Sequence, residues 1–489
     1  MTTEQQLPKG WKKTTFEDVA QIVSGGTPST KLETNFAEKG KGIGWITPAD
    51  LSKYTDKFIS NGARDLSIDG YKSCSAKLLP AGTVLLSSRA PIGYVAIAQS
   101  ELSTNQGFKN FILSDDILSE YAYYYLKSIK STIESLGSGT TFLELSASNA
   151  KKIPIIYPTS KETQQAIVNK IESLFDEIDE GIGRLKTAAQ QIQQYRQSLL
   201  KNAFNGELTK EWRSKHADTL PSENELLAQI QTTREQHHAQ QLAGWQTAVS
   251  QWEQNGKEGK KPSKPKAPTQ AVKFEENVAD LPSGWGVVKL ENIADIGSGM
   301  SVSASRKLEN PITVNYLRVG NVQRGYLDLK EIKEMQIEAE NFDKYSLRLG
   351  DVLFNEGGDR DKLGRGWIWE NQIPNCITQN HVFRASPFLK LITHSKYISY
   401  LGNSRYGQSY FEKTGKQTTN LASINKTVLS NFPVKLPSFA EQTQIVAILE
   451  SKLTACDQLA AELAKQLKQA ELLKQAVLKA AFSGGLLDK

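Results

Sequence analysis

The sequence predicts an α+β protein built twice. Two similar globular domains are separated by two long helices that pair antiparallel as an intramolecular coiled coil about a pseudo-two-fold axis. Three observations predict this. Matched segments recur in the same order at a nearly constant spacing, short β-like runs fill the first part of each half, and a proline-free stretch with an apolar stripe fills the second. The boundaries are 1–159 and 274–438 for the domains, 160–209 and 439–489 for the helices, and 210–273 for an insert.

The repeat comes first, because missing one mistakes the whole architecture. LPKGW at Leu7–Trp11 returns as LPSGW at Leu281–Trp285, 274 positions on. FEDVAQIVSGG (Phe16–Gly26) is matched by LENIADIGSGM (Leu290–Met300), and WITPADL (Trp45–Leu51) by YLRVGNV (Tyr316–Val322). LPAGTVLLSSR (Leu79–Arg89) pairs with LRLGDVLFNEG (Leu347–Gly357), and IPIIYP (Ile153–Pro158) with FPVKLP (Phe432–Pro437). The strongest match is last: RQSLLKNAFNGELT (Arg196–Thr209) and KQAVLKAAFSGGLL (Lys474–Leu487), at a spacing of 278. A period of that size is a duplicated half-protein, not a solenoid repeat.

Within each domain, runs such as Thr83–Ser88, Tyr94–Ala98 and Asp351–Glu356 are rich in Val, Ile and Leu and bounded by Gly or Pro, as strands are. A helical stretch, Tyr121–Leu136, breaks them up, with a counterpart near Lys396–Phe411. From Glu162 to Phe204 no proline occurs, and Ile167, Ile171, Leu174, Ile178, Ile182 and Leu185 fall three or four apart. Glu441–Phe482 repeats the pattern with Ile445, Leu449, Leu453, Cys456 and Leu459. Gly181 and Gly183 weaken the first helix locally, while Gly206 and Gly484 stand where helix stops are expected. About 42 residues reach ~63 Å. One small domain cannot cover such a stripe, so each helix needs a partner, and the other copy is the obvious one. Pairing between two chains, or parallel pairing with 210–273 carrying the chain back, remains open. The insert holds a polar helical run, Glu223–Gln254, and the lysine-rich KEGKKPSKPKAP (Lys257–Pro268), which reads as a solvated linker or as a basic arm for phosphates or an acidic partner.

Composition bounds the function. With 489 residues the chain exceeds one core, and 39% hydrophobic with 23% charged residues supports folded domains. A net charge of +6 permits a nucleic-acid partner without requiring one. Cys74, Cys376 and Cys456 form no CxxC pair, so a reducing compartment is the default expectation. No leader or membrane span is visible, and a soluble cytoplasmic protein is expected.

The tools of a DNA-modifying enzyme are not found. There is no Pro-Pro pair for an (N/D)PP(Y/F) methyltransferase motif and no GxGxxG loop after a strand. Thr414–Thr418 imitates a P-loop but has Tyr410 where the first Gly belongs. Glu331–Lys333 supplies only the last three letters of a nuclease signature. The five histidines make no HExxH, and His237–His238 read as solvated in a polar helix. A self-sufficient enzyme is therefore not expected, and no metal site is predicted.

Domain, long helix, domain, long helix resembles the layout of type I restriction–modification specificity subunits. The residues that carry the resemblance are LPKGW and LPSGW, IPIIYP and FPVKLPSFAEQTQIV, AFNGELT and AFSGGLL, and LTKEWR after the first helix. One departure is that the second helix is followed by LLDK without a second WR segment. The resemblance implies a non-catalytic, sequence-specific DNA-binding subunit. Each domain would be a target recognition domain reading one half of a bipartite, asymmetric site on double-stranded DNA. The helices would set the spacer and dock two methyltransferase subunits, with restriction subunits joining the complex. S-adenosylmethionine, ATP and Mg are then expected on the partners and no cofactor on this chain. A coiled-coil scaffold without a DNA role, and a fused restriction enzyme with an unrecognised site, are the rivals.

Reading bases needs donors and acceptors aimed at base edges, with Lys and Arg on phosphates. The DNA-binding candidates in the first domain are Thr27, Ser29, Lys31, Ser88, Arg89, Thr104, Asn105, Gln106, Ser138, Thr140 and Thr141. In the second they are Arg318, Asn321, Asn355, Arg360, Gln379, Asn380, His381, Lys416, Gln417, Thr418 and Asn420. Each one singly also reads as an ordinary loop residue; family analogy selects the loops. Leu7, Trp11, Leu281 and Trp285 read as packing residues.

Overall fold

A computed structural model describes residues 7–139, 143–259, 261–268, 271–272, 281–302, 308–417 and 422–486. The chain divides into two compact units. The first contains residues up to Ala188 together with Glu462 onward; the second contains Ala189–Ala461. The first long helix, Lys161–Phe204, therefore contributes its start to the first unit and its end to the second. The second long helix, Phe439–Ala481, does the reverse.

In the first unit, Trp11–Thr15 pairs antiparallel with Pro154–Pro158, which leads into the first long helix. A five-stranded sheet runs in the order Ala20–Ser24, Phe108–Leu113, Val84–Ser87, Val95–Ala98, Phe58–Ile59. A smaller sheet places Ile43–Ile46 parallel to Ser103–Thr104. The apolar side of the large sheet meets helix Ser119–Ser128. Ile167 and Ile171, near the start of the first long helix, share that core with Val477, Leu478, Ala481 and Phe482 from the end of the second. The two helices are thus antiparallel here, and Lys474 bonds both Asp179 carboxylate oxygens at 2.6 Å across them. Phe482 stands edge-on to Tyr121 at 5.2 Å and to Tyr125 at 5.1 Å. Burying such a ring stabilises by roughly 1.5–3 kcal/mol.

The second unit follows the same plan. Gly286–Lys289 pairs with Pro433–Leu436; Ala294–Ser298, Val382–Pro387 and Val352–Asn355 form the central sheet; and Pro311–Leu317 lies parallel to Cys376–Thr378. Leu199, Ala203 and Phe204, ending the first long helix, share a core with Ile445, Val446 and Leu449, near the start of the second. Arg196 pairs with Asp457 across the antiparallel helices. Phe204 stands edge-on to Tyr397 at 5.4 Å. The helices therefore meet within one chain and antiparallel in both units, which removes the interchain and parallel alternatives.

The repeated motifs turn out to meet one another. Gly206 and Gly484 end the long helices with φ near +83° and +85°, a left-handed conformation that glycine adopts without strain. A β-carbon on Gly206 would lie 2.1 Å from the Cγ of Pro282, and one on Gly484 2.4 Å from the Cγ of Pro8. The LPxGW of each domain is thus pressed on the glycine that closes the other half's helix. Of the four residues read as packing groups, Trp285 is buried, Trp11 and Leu281 are half-buried, and Leu7 is exposed.

The insert helix, Glu223–Gln254, is capped by Ser222 and Glu225 in a reciprocal capping box. Leu226, Ile230 and Arg234 are buried against the second domain. The solvated-linker reading therefore fails for these first turns. His237–His238 are also not simply solvated. The His237 ring lies 4.5 Å from that of Phe388, tilted by 30°, both Nε2 atoms are buried without a hydrogen-bond partner among the described residues, and burial lowers the pKa of His237. Their helix lies against the domain, which its polar sequence did not reveal. Gly181 and Gly183 leave the first helix unbroken.

Candidate nucleic-acid interface

In the first domain the SGG loop after Ala20–Ser24 is pinned to the end of strand Ser103–Thr104. The Gly26 amide donates to the Thr104 carbonyl at 2.9 Å. A β-carbon on Gly25 would lie 2.1 Å from the Asn105 carbonyl and 2.2 Å from that of Thr104, so only glycine fits. The Trp45 indole donates to the Gly26 carbonyl at 3.0 Å and locks the loop. Thr27 is thereby brought to Gln106, with which it hydrogen-bonds.

The Ser88 amide donates to the Gly107 carbonyl at 2.7 Å, bringing Ser88 and Arg89 beside the same loop. Arg89 and Ser138 both bridge to Glu144, and Arg89 forms an ion pair with that carboxylate at 3.5 Å. The structure thus gathers Thr27, Ser88, Arg89, Thr104, Asn105, Gln106 and Ser138 into one patch. Ser29 and Lys31 are exposed in the segment that follows Gly26. Thr140 and Thr141 lie outside the described residues.

Not all of these side chains reach solvent. Ser88 and Thr104 are buried, and the Thr104 hydroxyl accepts from the Asn110 amide at 2.8 Å. Among the described residues the buried Asn110 Oδ1 has no partner. Lys109 is buried too, its ammonium 3.4 Å from the Ser88 hydroxyl. Burial lowers its pKa; Glu144 opposes that shift and Arg89 adds to it. Lys109, Asn110 and Glu144 were absent from the sequence candidates. The signal was two polar residues inside the apolar strand FKNFIL.

The second domain repeats the frame with different groups. The Met300 amide donates to the Thr378 carbonyl at 2.8 Å. A β-carbon on Gly299 would lie 2.2 Å from the Gln379 carbonyl and 2.3 Å from that of Thr378. Gly26 and Met300 stand 274 positions apart, as do Thr104 and Thr378. Asn380 takes the place of Gln106, and its amide nitrogen lies 3.3 Å from His381 Nε2. His381 Nδ1 lies 2.7 Å from the Glu356 carboxylate, and the Glu356 amide donates to the His381 carbonyl at 2.9 Å. Strands Gly357–Gly358, Ala422–Ser423 and Lys416–Gln417 lie side by side, placing Lys416 beside this cluster. Of Gln417 only the backbone is described, and Thr418 and Asn420 lie outside the described residues.

Two of the second-domain candidates bond inward, and a third is held by a surface carboxylate. Buried Asn321 accepts from the Arg318 amide at 2.9 Å and donates to the Asp328 and Glu331 carbonyls at 2.9 Å each. Asp50 caps the equivalent turn in the first domain through the Thr47 amide at 2.7 Å. Arg318 reaches Glu331 at 3.2 Å. Buried Asn355 donates to the Val319 and Val322 carbonyls at 3.1 and 2.8 Å, holding the loop that Arg365 also binds, while its Oδ1 has no partner among the described residues. Arg360 is exposed on the turn Arg360–Lys362. Glu356, Arg365 and Thr378 were missed; Thr378 was recoverable from its spacing to Thr104.

The result is one backbone frame, built twice, carrying unlike polar side chains. Among the described residues no helix is long and apolar enough to cross a membrane.

Comparisons with known proteins agree with this duplication. A family model described as "Type I restriction modification DNA specificity domain" matches residues 8–186 and again 282–469. The chain is 39% identical over 201 residues to the type I restriction enzyme MjaIX specificity subunit of Methanocaldococcus jannaschii, covering 41% of this chain and 45% of that one. The match thus spans less than half of that relative's length. It is 21% identical over 495 residues to the type I restriction enzyme EcoKI specificity subunit of Escherichia coli strain K12, covering 98% and 90%. The HsdS subunit from Thermoanaerobacter tengcongensis has a similar fold, with a TM-score of 0.53 at 17% identity over 99% of both chains. A structure described under complex assembly and conformational transition of the type I R-M system reaches 0.63 at 17% identity over 98% and 99%.

Proposed function

The chain belongs to the type I restriction–modification DNA specificity family, and from that premise we propose that it is the non-catalytic subunit that chooses the DNA sequence. Each globular domain reads one half of a bipartite, asymmetric site on double-stranded DNA. The long helices set the unread gap and dock two methyltransferase subunits, and restriction subunits join through the complex. S-adenosylmethionine, ATP and Mg act on those partners.

One observation carries this reading. The Gly25 and Gly299 cradles hold the same loop against the same strand end in both domains, yet Arg89, Gln106 and Glu144 in one are answered by Asn380, His381 and Glu356 in the other. Base edges are told apart by the donor and acceptor pattern presented to them. A fixed frame with exchanged donors and acceptors is therefore how one fold addresses two different sequences. Lys416 and Arg360 suit phosphates, which position a reader without specifying bases.

The purified chain with labelled S-adenosylmethionine and duplex DNA tests the assignment. It should transfer no methyl group, and its DNA affinity should fall steeply with salt as phosphate contacts require. Methyl transfer by the chain alone would contradict the reading, and a flat salt response would favour a scaffold.

A further inference from the structure

The lysine-rich end of the insert is folded back on the insert helix. The Trp252 indole donates to the Gly259 carbonyl at 3.3 Å and the Trp245 indole to the Pro262 carbonyl at 3.0 Å. Lys261 lies over the Trp252 ring and Lys264 over the Trp245 ring, each 5.7 Å from the centroid. Further back, the Val272 amide donates to Gln231 Oε1 at 3.2 Å. The register is commensurate. The seven-residue step from Trp245 to Trp252 climbs ~10.5 Å of helix, and the three-residue step from Gly259 to Pro262 can reach about 10 Å of extended chain. Pro262, Pro265 and Pro268 recur at that three-residue interval and are half-buried. Lys261, just before them, and Lys264 and Lys266, between them, are exposed.

The helix beyond His238 has no place in the domain core, whose insert members are Leu226, Ile230 and the partly buried Leu227 and Val272. Its own half-buried apolar residues, Leu242, Trp245, Val249 and Trp252, alternate with exposed Gln and Thr. The outward face of the returning strand therefore carries Lys261, Ser263, Lys264 and Ala267, while Lys266 borders the cleft that holds Glu291 and Asp295. Among the described residues Lys257, Lys261, Lys264 and Lys266 form no ion pair.

We propose that this helix and its proline-spaced return strand form a basic arm that grips the phosphate backbone of duplex DNA without reading bases. Protein partners are held by desolvated aromatic or arginine anchors. Here both tryptophans are engaged by the arm itself, which leaves charge without an anchor and favours a polyanion over a protein. Pinning the lysines over indole rings reduces the ordering cost on binding. The arm rests on the reading of the chain as a DNA-binding subunit and adds a contact outside both recognition patches.

The test is the salt dependence of duplex binding by the full chain, for wild type and for K261S/K264S/K266S. Each lost phosphate contact should lower the slope of log affinity against log salt by about 0.9, so the triple variant should lose about 2–3 while keeping its preference among sequences. W245A/W252A, which leaves every lysine in place but frees the strand, should lose affinity with a smaller change in slope. An unchanged slope in the triple variant, with wild type binding normally, overturns the arm alone. Wild-type protein with no affinity for any duplex overturns the arm and the DNA reading together. Loss of a protein partner with duplex binding intact also overturns it, in favour of an acidic partner.

Discussion

The two places where a helix end docks on a domain are built alike, yet they are held differently. In both, a phenylalanine stands edge-on to a tyrosine, a glycine meets a proline, and a buried glutamine latches the start of the other helix. Gln164 donates to the Pro158 carbonyl at 2.9 Å, and Gln442 to that of Pro437 at 2.9 Å. In the second unit, however, Glu441 is 2% exposed and its carboxylate gathers Arg213 at 2.6 Å, Thr209 at 2.7 Å and the Trp285 indole at 3.0 Å. Thr163 stands at the matching position of the first unit, 278 residues earlier, and among the described residues its hydroxyl bonds to the cap Ser160. His394 is likewise buried against Gln442 Oε1 at 2.7 Å, where the first unit uses the Leu118 amide on Gln164 at 2.9 Å. Apolar packing suffices to dock a helix; the charged network adds a means of telling two near-identical sockets apart. It also gives a role to LTKEWR, whose arginine completes that network.

Breaking the comparison starts with its largest effect. R213A leaves a buried carboxylate short of its charge partner, which costs about 3–5 kcal/mol. T163A should cost under about 1 kcal/mol. Denaturant unfolding with peptide-resolved hydrogen exchange should place the loss in the second unit. E441T/R213A, which copies the first unit, should recover much of it, because an intact buried pair often contributes little net stability.

Acid should separate the units next. Burial pushes His394 down to about 4, below the usual ~6.5. A base with a depressed folded-state pKa adds stability above its unfolded pKa and loses it as pH falls toward the folded value. Between pH 6.5 and 4 the unfolded chain takes up the proton that the folded one refuses, so the second unit should lose about 2 kcal/mol by pH 5. Exchange rates corrected for intrinsic pH dependence would register this. Equal loss in both units would show that His394 is not responsible.

The remaining effect should be the symmetric one. G206A and G484A each force a side chain into a left-handed turn against proline and should cost about 1–3 kcal/mol apiece, read as matched shifts in melting temperature. Markedly unequal shifts would mean that the two glycine–proline contacts do not do the same job.

Much of this architecture was legible in the sequence. The constant spacing announced the duplication, and helix periodicity with terminal Gly206 and Gly484 fixed the long helices to within a few residues. The meeting of LPxGW with the glycine of the other half was not legible, because no local pattern says which copy closes on which. The site was half legible. Its loops were located, but polarity alone did not separate exposed Gln106 from buried Ser88, Thr104, Asn321 and Asn355, which bond inward. Lys109 was hidden in a strand that reads as core, and Glu356 stood beside the more conspicuous Asn355. The insert read as polar because the tryptophans that bind its lysines are few and widely spaced.

The central claim is that one frame, used twice with different side chains, reads two unlike sequences. Mapping methylated positions across a genome that carries this protein and its partner subunits tests it most directly. The expected result is a two-part site with unlike halves and a fixed unread gap, in which exchanging the loop residues of one domain changes one half alone. A continuous or palindromic site, or one whose halves change together, would contradict it.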